Sequence, residues 1–161
     1  MSSFHLCRQK DSMQCGIACL SMICHHYKKN YSIETLSKYC IATNQGVSLL
    51  GISKAANEVG LQTVCAKLSV NQLSQVKLPC IIHWNQNHFV VLYKVENGKK
   101  YSIADPGKGL LWRFWRRSRG ERSQRHRHGL HHLQVASYLN ILSYIWLVRS
   151  FSLSLPQNDI I

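Results

Sequence analysis

The chain has 161 residues, a formal net charge of +13 and seven cysteines, and 45% of its residues are hydrophobic. This length and composition allow a domain with its own hydrophobic core. An odd number of cysteines without paired spacing, and a first segment without an apolar run of signal-peptide length, argue against a disulfide-stabilised secreted protein and indicate a reducing cytosol.

The first predicted helix begins at Cys15. A thiol in the first turn of a helix lies beside unpaired backbone N–H groups and the positive end of the helix dipole, and both lower its pKa. We expect Gly16 to leave room beside the sulfur for a substrate backbone, and Gln9 to place a side-chain amide N–H near the same point. The apolar residues that follow at roughly helical spacing are Ile17, Leu20, Met22, Ile23 and Tyr27.

The middle of the chain predicts two more helices and then strands. Ser32 can cap one helix, while Ser48 can cap another that ends at Gly60. A short strand over 62–67, a weak helical turn over 70–76 and a buried strand over 78–84 follow. Helices first and strands later favour an α+β fold, with a helical lobe packed on an antiparallel sheet and the active site in the cleft between them.

A β-hairpin is predicted next. Residues 88–95 form its first strand, residues 100–104 form the return strand, and Asn97-Gly98 is a strong signal for a two-residue turn. The length of the turn fixes which residues face each other along the hairpin.

This register brings His88 and Asp105 together. Asp105 lies opposite Val90, and Val90 shares a face with His88 because the two are two residues apart. Asp105 is therefore predicted to be a diagonal neighbour of His88, within reach of the imidazole. The segment 105–107 is also a typical turn sequence, and it can serve as both.

Four residues provide what cysteine catalysis requires. Cys15 offers a thiolate, His88 a base, Asp105 a group that orients the base, and Gln9 a donor for the oxyanion. In this order they are the components of a papain-type thiol protease.

Several motifs around these residues occur in one order along the chain: Gln9, Cys15-Gly16, Gly46-Val47-Ser48, His83-Trp84-Asn85, His88-Phe89-Val90 and Ala104-Asp105-Pro106. With them, residues 4–109 resemble the C39 peptidase domain at the N-terminus of ABC transporters that export bacteriocins and related peptides. The resemblance implies a papain-like cysteine peptidase that cleaves leader peptides after a Gly-Gly pair. It also implies coupling to export at the cytosolic face of the bacterial inner membrane.

The resemblance carries roles and partners as well. It implies that Cys15 is the nucleophile, His88 the base, Asp105 the orienting carboxylate and Gln9 the oxyanion donor, with no cofactor and no metal. The implied partners are a double-glycine leader peptide and the membrane and ATPase parts of a transporter, which these 161 residues do not include. Many members carry Asp immediately before the nucleophile, where this chain has Gln14, and this departure leaves the role of Gln9 unchanged.

The composition changes abruptly after Gly109. Residues 1–109 contain eleven lysines, one arginine, five acidic residues and every cysteine, for a net charge of +7. Residues 110–161 contain eight arginines, no lysine and two acidic residues, for a net charge of +6. We therefore divide the chain into a C39-like domain, 1–109, and an atypical basic tail, 110–161. Our hypothesis is that the tail is read in a shifted frame and leaves the sheet without its closing strand.

Other interpretations stay open. The fold could serve as a non-catalytic module that binds leader peptides. The basic tail could bind nucleic acid or an anionic membrane, although no motif for specific nucleic-acid recognition accompanies it. The apolar stretch 133–155 is a poor membrane span because Asn140, Arg149 and several serines interrupt it.

Two groups of residues could also hold a metal. One group is Cys15 and Cys19 with Cys24 and the histidines that follow it, but Gln9 has no role in a zinc site. The other is the histidine cluster at 126–132, where interleaved arginines argue against a built site.

Overall fold

The computed structural model describes residues 4–40, 42–43, 46–68, 70–84, 88–114 and 133–139. Within these ranges the helices are α1 (Cys15–His26), α2 (Ile33–Ser37) and α3 (Leu49–Glu58). The strands are β1 (Ala42–Thr43), β2 (Gly46–Val47), β3 (Gln62–Leu68), β4 (Cys80–Trp84), β5 (His88–Glu96), β6 (Lys100–Asp105), β7 (Gly109–Phe114) and β8 (Leu133–Leu139). Short 3-10 helices span Ser12–Gln14 and Val70–Gln75.

The main sheet has six strands in the order β3-β8-β4-β5-β6-β7. Every neighbouring pair in it is antiparallel. Strands β1 and β2 form a separate antiparallel pair. The predicted α+β fold with an antiparallel sheet is confirmed.

Both faces of this sheet are buried at its centre. Ile81 and Val91 belong to the core that contains the buried residues of α1 and α3. Ile82 and Val90, one position away on the same strands, belong to a second core beside the 3-10 helix Val70–Gln75. The two-residue period of the strands therefore divides their apolar side chains between two cores.

The predicted helix caps are confirmed. The Ser32 hydroxyl accepts a hydrogen bond from the backbone N–H of Thr35 at 3.1 Å. The Ser48 hydroxyl accepts one from the backbone N–H of Gly51 at 3.0 Å. Each cap satisfies an N–H group that has no partner within its own helix, which fixes where α2 and α3 begin.

The β5–β6 hairpin reaches the predicted register by a different route. At its turn Glu96 pairs with Lys100, so three residues and not two form the connection. A bulge between Leu92 and Lys94 then shifts the register by one residue, and from there Leu92 pairs with Ile103. The two-residue turn was wrong, but the bulge compensates for the extra turn residue, so the His88 end has the predicted alignment.

Strand β8 corrects an expectation drawn from the tail. We expected the altered composition beyond Gly109 to leave the sheet without a closing strand. Instead β8 lies inside the sheet, paired along its whole length with β3 and over four positions with β4. Strand β7 also begins at Gly109 and pairs with β6. Sequence reasoning missed β8 because it compared the run 133–155 with a membrane span and not with a strand.

Among the described residues, none of the helices has the length and hydropathy that a membrane-spanning segment needs. The tail histidines at 126–132 and the apolar residues at 140–155 lie outside the described residues.

Candidate active site

The predicted site residues are positioned by three elements and one loop. Cys15 is the first residue of α1, His88 is the first residue of β5, and Asp105 is the last residue of β6. Gln9 precedes the 3-10 helix that leads into α1. Cys15 and Asp105 are buried, and His88 is partly buried.

His88 and Asp105 form a direct pair. The distance from His88 Nε2 to Asp105 Oδ1 is 2.8 Å, and the side chains retain 25% and 7% of their exposure. The diagonal contact predicted from the hairpin register is therefore confirmed.

The Asp105 carboxylate also organises the turn that follows it. Its Oδ1 accepts hydrogen bonds from the backbone N–H groups of Gly107 at 2.8 Å and Lys108 at 3.2 Å. The segment is thus both a turn and a part of the site. Because three donors converge on one oxygen, the carboxylate has little freedom to rotate away from His88.

The thiol and the imidazole shift each other's pKa in the directions that favour an ion pair. Burial raises the pKa of Cys15, but hydrogen bonds from His88 and from the backbone N–H of Phe89 outweigh it, so the pKa lies below its usual value. The hydrogen bond with Cys15 raises the pKa of His88 against the effect of burial, and Asp105 raises it further. Burial raises the pKa of Asp105, but the bonds from His88 and Gly107 lower it below the usual value.

Cys15 differs in this respect from the other buried cysteines. Burial raises the pKa of Cys24 and Cys40 to about 11, and that of Cys80 to about 12. The pKa of Cys19, one helical turn after Cys15, is also raised well above its usual value, chiefly by burial. A reactive thiolate therefore forms more readily at Cys15 than at these other cysteines.

Gln9 is attached to the turn that carries Asp105. Its backbone N–H donates to the Pro106 carbonyl at 3.2 Å. A methyl group added at Gly107 would lie 3.8 Å from Gln9 Oε1, so the side chain packs over this turn. The Oε1 atom is buried and has no hydrogen-bond partner.

Gly16 has a role other than the predicted one. We expected its missing side chain to make room for substrate. A Cβ atom at this position would instead lie 2.7 Å from Ile52 Cδ1 and 3.3 Å from Phe89 Cδ2. Gly16 lets α1 approach α3 and β5, and this close packing brings Cys15 to His88.

Sequence reasoning missed the part played by Phe89. Its backbone N–H bonds to the Cys15 sulfur, while its ring stacks on His83 with 4.5 Å between the ring centroids. A backbone donor carries no signal in the side-chain sequence. Only the position immediately after His88 could have indicated it.

The described residues show no grouping of three or more His, Cys, Asp or Glu side chains that could hold a metal ion. Around Cys15 a thiol, an imidazole and a carboxylate follow one another in contact, and groups of these kinds in this order can support acyl transfer.

The sequence of the chain matches a known protein family. The model of the peptidase C39 family matches residues 3–113. This chain belongs to the peptidase C39 family.

Similar proteins include the colicin V secretion/processing ATP-binding protein CvaB of Escherichia coli, which is 37% identical over 104 residues. The aligned part is 65% of this C39 chain and 15% of CvaB, so the chain spans a small part of this relative's length.

Solved structures of other C39 peptidases have the same fold. A double glycine motif protease from an AMS/PCAT transporter, crystallised with the leader peptide, is 34% identical with a TM-score of 0.66, covering 70% of this chain and 80% of that one. The peptidase domain of Streptococcus ComA is 24% identical with a TM-score of 0.66, covering 84% of this chain and 98% of that one, and it supports the fold alone.

Proposed function

We propose that this C39 chain is a cysteine endopeptidase that cleaves leader peptides of bacteriocin-like precursors after a Gly-Gly pair. The observation that carries the proposal is the connected chain of Cys15, His88 and Asp105, in which the thiol pKa is lowered and the imidazole pKa is raised. The similarity to a double glycine motif protease supports the choice of substrate.

The proposed reaction begins with the Cys15–His88 pair. Because Nε2 of His88 is engaged by Asp105, the other ring nitrogen receives the thiol proton. The thiolate attacks the carbonyl carbon of the second glycine, and His88 then returns the proton to the leaving amine as the C–N bond breaks. Water hydrolyses the resulting thioester and regenerates the thiol. Asp105 keeps the imidazole oriented and stabilises its charged form.

Gln9 is the proposed oxyanion donor. Its position over the Asp105–Lys108 turn supports this role, because the turn is fixed to His88 through Asp105. We expect Gln9→Ala to lower kcat by roughly 10²- to 10³-fold with a smaller effect on KM, since the oxyanion exists only in the transition state. A change confined to KM in steady-state cleavage assays would contradict the role.

The direct test uses Cys15→Ala. A double-glycine leader peptide is incubated under reducing conditions with the natural protein and with the variant, and mass spectrometry identifies the products. We expect cleavage after the glycine pair by the natural protein, and a loss of at least about 10⁴-fold in kcat for the variant. Cys65→Ala is the matched control, because Cys65 is half-buried and its pKa is raised by burial.

Two results would contradict the proposal. Equal cleavage by the natural protein and Cys15→Ala would remove Cys15 from the chemistry. A folded natural protein that binds the leader without cleaving it would be a leader-binding module of the same fold.

We further propose that the domain acts beside the membrane and ATPase parts of an ABC transporter, at the cytosolic face of the bacterial inner membrane. The name of the relative CvaB, a secretion/processing ATP-binding protein, supports this setting. Co-purification of the chain with such transporter parts tests it, and cleavage in cells that does not depend on them would contradict it.

The domain division remains a proposal as well. We propose that residues 1–109 carry the peptidase and that the gene changes reading frame near codon 110. The switch from lysine to arginine supports this, and the family match ends at residue 113. Strand β8 shows that the tail still contributes to the sheet. Resequencing the gene is the test, and a frame without an inserted or deleted base near this codon would contradict the proposal.

A further inference from the structure

The imidazole of His88 has a neighbour on each side along one end of the main sheet. Asp105, the last residue of β6, contacts it at 2.8 Å. On the other side Trp84, the last residue of β4, is paired directly with His88 across the two strands. Since β5 lies between β4 and β6, the base stands between an indole and a carboxylate.

Trp84 and His88 share a face of the sheet. Directly opposite residues of an antiparallel pair project to the same side, with Cβ atoms about 4.5–5.5 Å apart, so side chains of this size touch. Ile82 and Val90, two residues away on the same strands, belong to the second core, and the half-buried indole of Trp84 packs against that core. The indole is therefore supported by the fold beside the imidazole.

This neighbour bears on a requirement of the proposed chemistry. His88 must keep one ring nitrogen on Asp105 while the other faces the Cys15 thiol, although its side chain retains 25% of its exposure. A rotation of the ring away from Asp105 turns it toward β4, where the indole occupies the space. A flat apolar group at this place also keeps water from one side of the ring, which reduces screening between the charged groups.

We propose that Trp84 is a positioning residue, whose indole packs against the imidazole of His88 on the β4 side and holds it between Cys15 and Asp105. The inference deepens the proposed peptidase function and rests on it, since it concerns the base of that site. Trp84 transfers no proton and acts only through His88.

The test compares Trp84→Ala with Trp84→Phe, which keeps a flat ring. Val95→Ala is the matched control, because Val95 is half-buried against the same core near the other end of β5. Alkylation of Cys15 by iodoacetamide is followed by mass spectrometry across pH. The midpoint of the rate profile reports the thiolate that His88 stabilises, and the limiting rate at high pH reports access to the sulfur. The charged groups that act on the imidazole are Cys15 and Asp105.

We expect Trp84→Ala to move the midpoint to higher pH by about one unit, because a loosely held imidazole stabilises the thiolate less. In leader cleavage, kcat should fall by roughly 10- to 100-fold with KM changed less than about threefold, since misplacement of the base affects the chemical step. Trp84→Phe should retain the natural midpoint and most of kcat. Val95→Ala should lower the Tm through the cavity it leaves, with the midpoint and kcat unchanged.

Three results would each overturn the inference: a natural midpoint in Trp84→Ala, an equal shift in Val95→Ala, or a shift in Trp84→Phe as large as that in Trp84→Ala. If Trp84→Ala does not fold, Trp84→Leu replaces it, and a natural midpoint in that variant overturns the inference as well. The alkylation profiles do not depend on the leader. A natural protein that fails to cleave the leader, while the midpoints follow the expected order, would therefore overturn the peptidase proposal alone.

Discussion

The two ends of the β5–β6 hairpin each carry a carboxylate, and their surroundings are opposite. At the turn end Glu96 pairs with Lys94 and Lys100, and its side chain keeps 35% of its exposure. At the other end Asp105 keeps 7%, and it accepts hydrogen bonds from His88 and from two backbone N–H groups. Water screens the first carboxylate, while the second acts over short distances with little screening. The same hairpin thus has a partly exposed carboxylate at one end and a buried, hydrogen-bonded carboxylate at the other, and the degree of burial distinguishes the two.

The largest loss of activity is expected from Asp105→Asn. The amide keeps the size of the side chain but removes the negative charge that stabilises the His88 imidazolium. We expect kcat/KM to fall by roughly 10²- to 10⁴-fold in the leader-cleavage assay. A loss below tenfold with the fold intact would show that the carboxylate does not contribute to the chemistry.

The same variant changes the pH profile in a defined direction. The ion pair requires Cys15 deprotonated, which sets the acid limb, and His88 protonated, which sets the alkaline limb. Because Asp105 raises the pKa of His88, its removal lowers that pKa, and the alkaline limb of kcat/KM should move to lower pH. An alkaline limb that stays in place would mean that another group controls it.

An intermediate effect is expected at the junction between core and site. In Gly16→Ala the new methyl group would lie 2.7 Å from Ile52 Cδ1, so either the Ile52 side chain shifts or α1 moves away from α3 and β5. We expect the free energy of unfolding to fall by about 1–3 kcal/mol, together with a loss of activity because Cys15 moves from His88. Chemical denaturation and cleavage assays measure the two effects.

Ile52→Val provides the matched rescue for this variant. It removes the Cδ1 atom that the new methyl group would meet, so the double variant should recover part of both losses. If the two substitutions simply add, contact with Ile52 is not the reason for glycine at position 16.

The smallest effect is expected from Glu96→Gln, which is the control for Asp105→Asn at the other end of the hairpin. Its carboxylate is partly exposed and paired with two lysines at the surface, and such pairs contribute little to stability. We expect an unchanged pH profile and a Tm close to that of the natural protein. A shift of the alkaline limb in Glu96→Gln would show that net charge, and not contact with His88, sets the imidazole pKa.

The hairpin also shows how much of the local structure could be predicted from the sequence. Alternation and the Asn97-Gly98 signal placed β5, β6 and the His88–Asp105 contact correctly. The predicted two-residue turn was wrong. The turn has three residues, and a bulge at Tyr93 shifts the register by one residue in the opposite direction, so the two shifts cancel. Tyr93 stacks on Phe4, with 4.6 Å between the ring centroids. This contact spans most of the domain sequence, and local propensity contains no information about it.

Gly16 and Gln14 show what sequence reasoning could not reach at the site. The position of Gly16 beside the nucleophile suggested room for substrate, whereas its constraint comes from Ile52, which is 36 residues away along the chain. The departure at Gln14 was visible in the sequence, but its meaning depends on whether a donor lies nearby. Only the three-dimensional arrangement shows that none does.

The order of strands in the sheet has a consequence for how the chain folds during synthesis. Strands β4, β5, β6 and β7 are neighbours both in sequence and in space, so they can assemble as soon as they leave the ribosome. Strand β8 lies between β3 and β4 in the sheet, and it follows every other described strand along the chain. Until residue 139 emerges, β3 and β4 each present an unpaired edge, and such edges invite pairing with other chains. Translation pauses or chain ends before this residue should therefore favour aggregation of a nascent protein whose β5–β6 hairpin has already formed.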